Sequence, residues 1–382
     1  MRRKLVLITE IISPYRIPVF NALAQREDVA LHVIFLAETD STQREWLVYK
    51  DEIRFSYEVL PAWRRRLAGY HILLNWGMRA ALRRAAPGAI LCGGYSYLAS
   101  WMALRWARSH GTPFSLWIES SARDRRGGHR LVELLKAKFI HDCSGFVVPG
   151  KASREYAMSF GVSEARIFTA PNAVDNAFFT EHAAEARRDA AELRQTLGLP
   201  QRYFLFVGRL VREKGVFDLL SAYGKLADEM KQEWGLVYVG GGSLAAELKA
   251  RAASAGPGSI LVAGFAQRER LASYYALADV LVFPTHSDPW GLVVNEAMAC
   301  GLPVVATSAA GCVPNLVTDG WNGRVVEAGD TAQLASAMAE LAADSEVRRE
   351  MAVHSRERIA EYSPQACAAG LAQVALASEV RP

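Results

Sequence analysis

Two basic side chains follow the end of an apolar run in a position suited to phosphate. The run from Phe206 to Gly215 reads F-V-G-R-L-V-R-E-K-G, and its first glycine, Gly208, allows the backbone to approach a ligand closely. Arg209 and Lys214 would face a phosphate near the N-terminus of the next helix. A planar guanidinium together with a mobile ammonium suits a diphosphate better than a single carboxylate does. A solvated basic turn without a ligand is the alternative.

A second glycine-rich turn, Gly240-Gly241-Gly242, follows the apolar run that ends at Val239. It resembles a degenerate dinucleotide-binding fingerprint, which requires an acidic residue at the end of the next strand to hold the ribose. The next apolar run, Ile260–Phe265, contains no acidic residue. We therefore expect a tight strand-to-helix turn with, at most, a phosphate contact.

The segment Phe283–Gly301 carries two carboxylates near the start of a helix. A strand ends at Pro284, a polar loop containing Asp288 follows, and a helix begins near Gly291. Glu296 lies inside that helix among small and apolar residues, where a carboxylate is costly unless it is paired or hydrogen-bonded. A ribose diol is one natural partner, and a buried arginine–glutamate pair is the alternative. Asp288 would lie near the sugar of a bound nucleotide.

These turns require strands that alternate with helices. Apolar runs in the first half predict strands at Leu5–Thr9, Leu31–Leu36, Ala89–Cys92, Phe114–Ile118, Phe146–Val148 and Ile167–Thr169. Helical patterns separate them, at Ile72–Ala86, Leu98–Ser109, Leu131–Phe139 and Ser153–Phe160. In the second half, the alternation of strands and helices resumes, with strands predicted at Tyr203–Val207, Leu236–Val239, Ile260–Val262, Val280–Phe283 and Val304–Ala306. This pattern predicts parallel sheets covered on both faces, whose ligands bind at the carboxyl ends of the strands.

The chain is long enough for two domains. Its 382 residues are more than a single hydrophobic core ordinarily contains. The alternation of strands and helices is interrupted after Ala170-Pro171-Asn172-Ala173-Val174-Asp175. We predict an N-terminal Rossmann-like domain over residues 1–175, a linker near 172–182, and a C-terminal Rossmann-like domain over residues 183–362. A last helix, about residues 363–382, is expected to pack back on the N-terminal domain.

Charge is distributed unevenly along the chain. The formal net charge is +4, yet residues 1–172 carry 25 Lys and Arg against 15 Asp and Glu, and the remaining residues carry 19 against 25. Basic residues stand beside aromatic ones in Trp63-Arg64-Arg65-Arg66, and they also cluster in the Arg123–Arg130 segment. This pattern suits an anionic membrane surface or a pyrophosphate-linked acceptor. A solvated basic face without a partner explains it equally well.

The composition, with 51% hydrophobic and 22% charged residues, is that of a soluble globular protein. The cysteines, which are Cys92, Cys143, Cys300, Cys312 and Cys367, lie far apart and indicate neither a disulfide framework nor a zinc site. The first apolar run is too short for a signal peptide and ends at Glu10. No uninterrupted apolar stretch approaches the ~18 residues of a membrane-spanning helix. We therefore expect a cytoplasmic protein.

The motifs in combination resemble the retaining glycosyltransferases of family 4, which have the GT-B fold. The resemblance rests on G-R-L-x-x-E-K-G, the G-x-G turn, and an acidic residue separated by seven residues from a glutamate before A-M-A-C-G-L-P-V-V-A-T. It covers Tyr203–Val326 closely and the N-terminal half, including Ile12–Leu23, more loosely. It implies an α/β protein of two Rossmann-like domains, whose parallel sheets face each other across a deep cleft. The first domain would bind the acceptor and the second the sugar nucleotide.

By this resemblance, Arg209 and Lys214 clamp the donor diphosphate and Glu296 binds the ribose. Asp288 stands where the family has the first glutamate of its E-x7-E motif, and its shorter arm is a departure. The donor-binding positions implied are Gly208, Arg209, Lys214, Gly240, Gly264, Phe265, Asp288, Gly291, Leu292, Val293 and Glu296. The backbone around Gly264 and Phe265 would hold the base. The chain contains no D-x-D sequence, so we expect no metal ion.

Another departure lies in the N-terminal half, where Glu119 occupies the place of the family's cleft histidine. We hypothesise that Glu119 faces the reacting centre, so that the catalytic set is Asp288, Glu119, Arg209 and Lys214. A helix-capping or salt-bridged Glu119 is the alternative. In the first turn, Ile11–Pro14 replaces the Gly-Gly pair that is common in the family.

The activity implied is transfer, with retention, of a hexose-type sugar from a UDP- or GDP-sugar to a hydroxyl of a glycan, without a separate cofactor. We expect a lipid-linked acceptor in bacterial cell-surface polysaccharide or glycoconjugate synthesis, at the inner face of the membrane, and no nucleic acid partner. A soluble acceptor, a GT-B epimerase or phosphorylase, and a non-catalytic sugar-nucleotide-binding subunit remain alternatives. A nicotinamide-dependent oxidoreductase is disfavoured because the strand after the glycine-rich turn, Ile260–Phe265, lacks the acidic residue that would hold the ribose of a dinucleotide.

Overall fold

The computed structural model describes residues 2–40, 46–67, 70–121, 130–254 and 258–377. The arginine-rich segment that begins at Arg123 lies, up to residue 129, outside these ranges. The chain divides into two compact units: unit 1 contains residues 1–174 and 364–382, and unit 2 contains residues 175–363. Within the described ranges, no helix is both long and apolar enough to cross a membrane.

Unit 1 is built on a seven-stranded parallel sheet. Its strands and those of a separate hairpin are β1 (Arg3–Thr9), β2 (Val29–Phe35), β3 (Ser56–Val59), β4 (Ala62–Leu67), β5 (Tyr70–Asn75), β6 (Ala89–Cys92), β7 (Phe114–Trp117), β8 (Gly145–Val148) and β9 (Ile167–Thr169). Its first helices are α1 (Ile17–Ala24), α2 (Met78–Ala85), α3 (Leu98–Ser109), α4 (Arg130–His141) and α5 (Lys151–Met158). The sheet order is β3-β2-β1-β6-β7-β8-β9, and β4 pairs only with β5, antiparallel.

The central strands of unit 1 are buried on both faces. Side chains alternate along β1, so that Leu5 and Leu7 enter one apolar cluster and Val6 and Ile8 enter the other. All four residues of β6 are buried. Burial on both faces explains why these strands are recognisable in the sequence as continuous apolar runs.

The β4–β5 hairpin corrects one prediction from the sequence. The pattern over Ile72–Ala86 predicts a single helix, but the chain continues as a strand to Asn75 and α2 begins only at Met78. Gly77, at φ +84°, separates the two elements in a left-handed conformation that suits glycine. The helical prediction was wrong for the first residues because β4, which supplies the pairing partner of β5, was not recognised.

Unit 2 contains a second parallel sheet. Its strands are β10 (Arg202–Val207), β11 (Trp234–Val239), β12 (Ile260–Gly264), β13 (Val280–Phe283), β14 (Val304–Thr307) and β15 (Gly323–Val326). Its helices are α6 (Asn176–Arg188), α7 (Ala190–Leu197), α8 (Val216–Gly224), α9 (Asp228–Glu233), α10 (Ala245–Ala253), α11 (Arg268–Leu277), α12 (Leu292–Ala299), α13 (Val313–Leu316), α14 (Thr331–Ala343) and α15 (Ser345–Ala360). The order β12-β11-β10-β13-β14-β15 is that of a doubly wound sheet. The predicted fold class, two α/β domains with parallel sheets, is confirmed.

In each sheet the strand order reverses beside the first strand of the unit. The reversal lies between β1 and β6 in unit 1 and between β10 and β13 in unit 2. A crevice forms at such a point, at the carboxyl ends of the two strands. The turns that begin at Gly208 and Pro284 therefore lie side by side.

The last helix, α16 (Pro364–Leu376), belongs to unit 1. It packs against α1, β8 and β9 and buries Leu371 and Val374. Gly370 allows the helix to approach the sheet, because a Cβ atom there would lie 2.2 Å from the carbonyl oxygen of Thr169. The C-terminal helix is thus part of the core of the first unit.

Candidate functional site

The first strand-to-helix turn of unit 2, from Gly208 to Gly215, is packed against the loop that follows β13. Gly215 has φ +66°, and a Cβ atom on it would lie 2.0 Å from the carbonyl oxygen of Pro284. Both the conformation and the close approach require glycine. The contact joins the turns after β10 and β13 into one crevice.

Lys214 and Asp288 meet in this crevice. The buried Lys214 ammonium donates to an Asp288 carboxylate oxygen at 2.7 Å and to the carbonyl oxygen of Ser287 at 2.9 Å. Arg209, by contrast, is exposed and forms no ion pair with any residue in the described ranges. Two of the predicted site residues are therefore in contact, and the Arg209 guanidinium is open to an incoming anion.

Backbone hydrogen bonds fix the loop after β13. The second carboxylate oxygen of Asp288 accepts from the Trp290 N–H at 3.0 Å, and the Asp288 carbonyl accepts from the Gly311 N–H at 2.9 Å. The buried Thr285 hydroxyl donates to the carbonyl oxygen of Glu213 at 3.1 Å. The loop thus positions Asp288 independently of its ion pair.

The N-terminus of α12 lies at the carboxyl end of β13. Gly291 precedes it with φ +97°, and no side-chain cap is present within the described chain. The N–H groups of Leu292 and Val293, in the first turn, have no acceptor within the helix. These N–H groups and the helix dipole favour an anion at this point.

Glu296 lies half-buried on α12. Its carboxylate accepts a hydrogen bond from the Tyr275 hydroxyl at 2.7 Å. Burial raises the pKa of Glu296 to about 7, although the hydrogen bond from Tyr275 lowers it. The partner is therefore a tyrosine on α11 and not the arginine of the alternative drawn from the sequence. The carboxylate keeps further acceptor sites for ligand hydroxyls.

The glycine-rich turn after β11 packs against the first turn. A Cβ atom at Gly240 would lie 1.9 Å from the Gly208 carbonyl oxygen, and one at Gly242 would lie 2.4 Å from that of Leu210. The Leu210 N–H donates to the carbonyl oxygen of Gly241 at 2.7 Å. Contact between the two turns therefore accounts for this glycine pattern without a phosphate.

Gly264 and Phe265 lie at the end of β12. Gly264 has φ +82°, and its carbonyl accepts from the Gly240 N–H at 2.8 Å. Apart from its neighbours in the chain, no atom of the described residues lies within 4 Å of the position that a Cβ of Gly264 would take. The exposed Phe265 ring provides a flat apolar surface beside this space.

A cavity of about 150 Å³ lies at the reversal point of the sheet in unit 1. Its lining includes Glu10, Ser13, Arg16, Tyr97, Trp117 and Glu119. Arg16 donates to a Glu119 carboxylate oxygen at 2.5 Å, and its guanidinium lies 3.9 Å from the centre of the Trp117 ring. Glu119 is thus salt-bridged, as in the alternative drawn from the sequence, and it also lines a cavity. Its catalytic role remains a prediction.

A second carboxylate in this cavity is held by the hairpin of unit 1. Arg64 donates to Glu10 at 3.1 Å and also pairs with the buried Asp40. Burial and a hydrogen bond with Glu10 raise the pKa of Tyr97. The cavity therefore offers carboxylates, hydroxyls and an indole, which are groups that bind polyols.

The partners of the predicted residues were missed from the sequence. Arg16 and Glu119 are far apart along the chain, and nothing in the local pattern links Tyr275 to Glu296. A further pair, His286 Nε2 and an Asp218 carboxylate oxygen at 2.6 Å, lies beside the loop after β13. The signal that the sequence offers for such partners is a polar residue in a strand-to-helix turn.

Within the described ranges, no three His, Cys, Asp or Glu side chains are grouped to hold a metal ion.

Two family profiles match successive parts of the chain. The profile "Glycosyl transferases group 1" matches residues 189–358, and "Glycosyltransferase Family 4" matches residues 20–178. The first match covers most of unit 2 and the second covers most of unit 1. Together they include every predicted site residue.

Curated relatives match about half of the chain. A D-inositol 3-phosphate glycosyltransferase of Xylanimonas cellulosilytica is 35% identical over 231 residues, which are 58% of this chain and 54% of that protein. An alpha-D-kanosaminyltransferase of Streptomyces kanamyceticus is 32% identical over 199 residues, which are 51% of this chain and 50% of that protein. The chain thus spans about half the length of these curated relatives.

Solved structures match nearly the whole chain at lower identity. Anabaena HepE, crystallised in complex with UDP and glucose, has a TM-score of 0.76 at 17% identity and covers 99% of this chain and 100% of its own. Sucrose-phosphate synthase of Thermosynechococcus elongatus has a TM-score of 0.72 at 21% identity, with 98% of each chain covered. At these identities the likeness establishes the fold.

Proposed function

This chain belongs to the family-4 glycosyltransferases, and we propose that it transfers a hexose-type sugar from a nucleoside diphosphate to a glycan hydroxyl, with retention of configuration. One observation carries the proposal. Lys214, Asp288 and the start of α12 lie at the carboxyl ends of β10 and β13, where a doubly wound sheet binds its ligand, and Glu296 follows within α12.

The donor diphosphate binds between the basic turn and α12. Lys214 has three N–H donors and uses two of them within the protein, so one remains for a phosphate oxygen. Arg209 supplies a planar guanidinium, and the amides of Leu292 and Val293 supply the helix terminus. This set of donors can replace a metal ion, so we propose a metal-independent reaction.

The nucleoside binds beside the diphosphate. Glu296 accepts hydrogen bonds from the two ribose hydroxyls, and the Tyr275 hydroxyl orients the carboxylate. The base lies along Gly264 and Phe265, where space is open and an aromatic surface is exposed. These contacts suit UDP or GDP equally, so either sugar nucleotide fits the proposal.

Bond cleavage makes the sugar carbon oxocarbenium-like while negative charge grows on the diphosphate. The protein accelerates the step by stabilising that charge and by holding the acceptor hydroxyl in line. Arg209 and Lys214 act on the leaving diphosphate, and Asp288 contacts sugar hydroxyls. Glu119, which pairs with Arg16 in the cavity of unit 1, acts at the reacting centre.

The acceptor binds to unit 1. The cavity beside Trp117 and Glu119 suits a sugar, and unit 1 contains the basic half of the chain. We propose a lipid-linked glycan of a bacterial cell-surface polysaccharide or glycoconjugate, bound at an anionic membrane surface. A soluble acceptor is the competing assignment, and comparing transfer to lipid-linked and free glycans separates the two.

A melting-temperature screen tests the donor site. Purified protein is heated with UDP, GDP, TDP, their common sugar derivatives, or NAD. A ligand that binds only the folded state, at 100 times its dissociation constant, stabilises that state by about 2.7 kcal/mol. We expect one nucleoside diphosphate to raise the melting temperature, and the shift to be lost in Glu296→Ala.

The matched control is Glu229→Ala, which removes an exposed carboxylate elsewhere in unit 2. This variant should keep the full shift. A shift with NAD alone would overturn the proposal, as would an equal shift in Glu296→Ala and wild type. Transfer of radiolabelled sugar from the donor so identified then establishes turnover.

A further inference from the structure

A long part of unit 1 contains no acidic residue. The 60 residues between Glu58 and Glu119 include eight arginines but no Asp, Glu or Lys. Since the chain has 40 acidic residues in 382, a stretch of this length would contain about six on average. The same stretch holds five of the nine tryptophans. A surface built from it is basic and aromatic.

The β4–β5 hairpin presents two different faces. Directly opposite residues of an antiparallel pair share a face, and successive residues alternate. Arg64 and its opposite neighbour Leu73 face inward, because Leu73 is buried in the core and Arg64 holds Glu10. Trp63 and its opposite neighbour Leu74 face outward, with exposed fractions of 43% and 38%. The outward face is therefore apolar and open.

Exposed residues continue along the chain from the hairpin to α2. Trp76, at the end of the hairpin, is 56% exposed, and Gly77 leads directly into the helix. Met78 of α2 is buried in the same cluster as Leu73, so the opposite sides of the hairpin and the helix both face away from that core.

Three arginines lie on this outer side. Arg65 is exposed, and its guanidinium carbon lies 5.8 Å from the centre of the Trp63 ring. Arg79 and Arg83 are exposed on α2. In the described chain, none of these three arginines forms an ion pair. Their charge is therefore available to an external anionic surface.

We propose that this outer side docks on an anionic lipid bilayer. We call it the hairpin surface, and it consists of Trp63, Arg65, Leu74, Trp76, Arg79 and Arg83. Tryptophan is enriched where membrane and water meet, and exposed arginines near an anionic leaflet add attraction to its phosphates. The exposed leucine and tryptophans favour a lipid layer over a purely charged partner such as nucleic acid, which offers few apolar groups on its backbone. The inference rests on the proposed function in one respect, that the acceptor is lipid-linked.

The hairpin also reaches the cavity of unit 1, through Arg64. Arg64 follows Trp63 in β4 and reaches inward to Glu10, which lines the cavity. The same hairpin thus contacts the bilayer with one face and holds a cavity carboxylate with the other. This arrangement places the glycan-binding groups beside the membrane from which a lipid-linked acceptor would come.

Co-sedimentation with vesicles tests the proposal on the full-length protein. One set of vesicles contains two parts phosphatidylcholine to one part phosphatidylglycerol, and the other contains phosphatidylcholine alone. We expect binding to the mixed vesicles that weakens with added salt. The triple variant Arg65→Gln, Arg79→Gln, Arg83→Gln should lower the partition coefficient about 100-fold, at about five-fold for each arginine. Trp63→Ala with Trp76→Ala should lower it about ten-fold.

Matched controls change equally exposed residues elsewhere. Arg188→Gln removes an exposed arginine of unit 2, and Met158→Ala removes an exposed apolar side chain of unit 1. Both should bind the mixed vesicles as wild type does. Melting temperatures verify that every variant is folded. We expect brominated lipids to quench the tryptophan fluorescence of wild type. Trp63→Phe with Trp76→Phe should still bind the mixed vesicles but should lose this quenching.

The outcomes separate this inference from the proposed donor function. The nucleotide-dependent melting shift is measured on the same samples. A normal shift without vesicle binding overturns the hairpin surface and leaves the donor site intact. Wild-type partition coefficients in the arginine and tryptophan variants also overturn it, as does binding of wild type to heparin but not to mixed vesicles. Vesicle binding that depends on these residues, without any nucleotide shift, supports the surface and contradicts the donor site.

Discussion

At the scale of single residues, Glu296 shows how burial of a carboxylate lowers the stability of the folded chain. Its pKa is about 7 in the folded chain against an ordinary 4.5, so the folded state holds a proton that the unfolded chain has released between these values. The unfolded state binds fewer protons in this window, and the free energy of unfolding therefore falls as pH rises through it. The loss amounts to about 3 kcal/mol at most.

We therefore expect Glu296→Gln to be more stable than wild type by about 2–3 kcal/mol above pH 7. Glutamine keeps an acceptor for the Tyr275 hydroxyl and carries no charge to bury. The difference should shrink as pH falls from 7 to 4.5, where Glu296 is protonated in the folded state. Urea unfolding of both unliganded proteins across this range measures it. If the free energies of unfolding of the two proteins changed with pH in parallel, the buried Glu296 carboxylate would not destabilise the fold.

Arg209 and Lys214 should respond differently to removal, although both contact the diphosphate in our proposal. Each alanine variant should lose about 10²–10³-fold in turnover, the scale for a lost transition-state donor. Arg209→Ala should change stability by less than about 0.5 kcal/mol because the side chain is exposed. Lys214→Ala leaves the half-buried Asp288 without its cation and should cost about 1–3 kcal/mol. Steady-state kinetics and urea unfolding measure both effects, and a turnover loss below threefold in both variants would refute the clamp.

Arg16 and Glu119 should act as one unit in the cavity of unit 1. Glu119→Gln should lower turnover if the carboxylate serves the reacting centre, and full activity in this variant would exclude that role. Because Arg16 contacts both Glu119 and the Trp117 ring, the stability effects of Arg16→Gln and Glu119→Gln should be non-additive by about 0.5–3 kcal/mol. A double-mutant cycle measures this coupling, and additive losses would mean that the two side chains act independently.

At the scale of elements, the turns of unit 2 are built on contacts between backbones. Gly240→Ala would place a Cβ atom 1.9 Å from the Gly208 carbonyl oxygen, so the two turns would have to separate. The methyl group of Gly264→Ala would meet no atom within 4 Å in the part of the chain that the structure describes, its chain neighbours aside, so the expected loss comes from the strain of φ +82°. We expect the second variant to lose about 1–2 kcal/mol and the first to lose more than about 3 kcal/mol. Urea unfolding ranks them, and equal losses would contradict the role of turn packing.

Local pattern predicted the elements that are buried on both faces, because continuous apolar runs identify such strands. It failed at the hairpin, where Ile72–Asn75 was predicted to be the start of a helix that continues to Ala86. These residues form a strand because they pair with β4, which the local pattern does not contain. It also missed β3 and β15, which are short strands at or near a sheet edge. Boundaries such as the start of α2 depend on Gly77, whose positive φ no pattern of hydrophobicity reveals.

The sequence predicted individual residues of the candidate site, but it did not predict which of them contact each other. Arg209 and Lys214 are recognisable because they follow the end of an apolar strand, and Glu296 because a carboxylate interrupts an otherwise small and apolar helix. The Lys214–Asp288 contact and the Tyr275–Glu296 hydrogen bond depend on the order of strands in the sheet, which brings separate turns together. The spacing of Gly240 and Gly242 predicted a tight strand-to-helix turn with, at most, a phosphate contact. The close approach of two backbones requires glycine at both positions.

At the scale of the whole molecule, both units have the same kind of sheet but different side chains at the point where the strand order reverses. Each has a parallel sheet whose order reverses beside its first strand, and each has ionisable groups at that point. In unit 2 the groups are suited to an anion, with Lys214 and an uncapped helix. In unit 1 they are suited to hydroxyls, with Glu10 and Glu119 around an indole. This division of chemistry suits the reaction that we propose, between an anionic donor and a polyol acceptor.

The chain returns to unit 1 after completing unit 2, so the stability of unit 1 depends on α16. Leu371 is fully buried in the apolar cluster of unit 1, whereas Leu376, on the same helix, is 42% exposed. Leu371→Ala should destabilise unit 1 by about 2–5 kcal/mol, and Leu376→Ala should change it by less than about 0.5 kcal/mol. The nucleotide-dependent stabilisation of unit 2 should survive in both variants, because α16 belongs to the core of unit 1 alone. Calorimetry with and without the nucleotide measures both quantities. Loss of the nucleotide effect in Leu371→Ala, with unit 2 still folded, would show that unit 2 depends on the packing of unit 1 to bind its ligand.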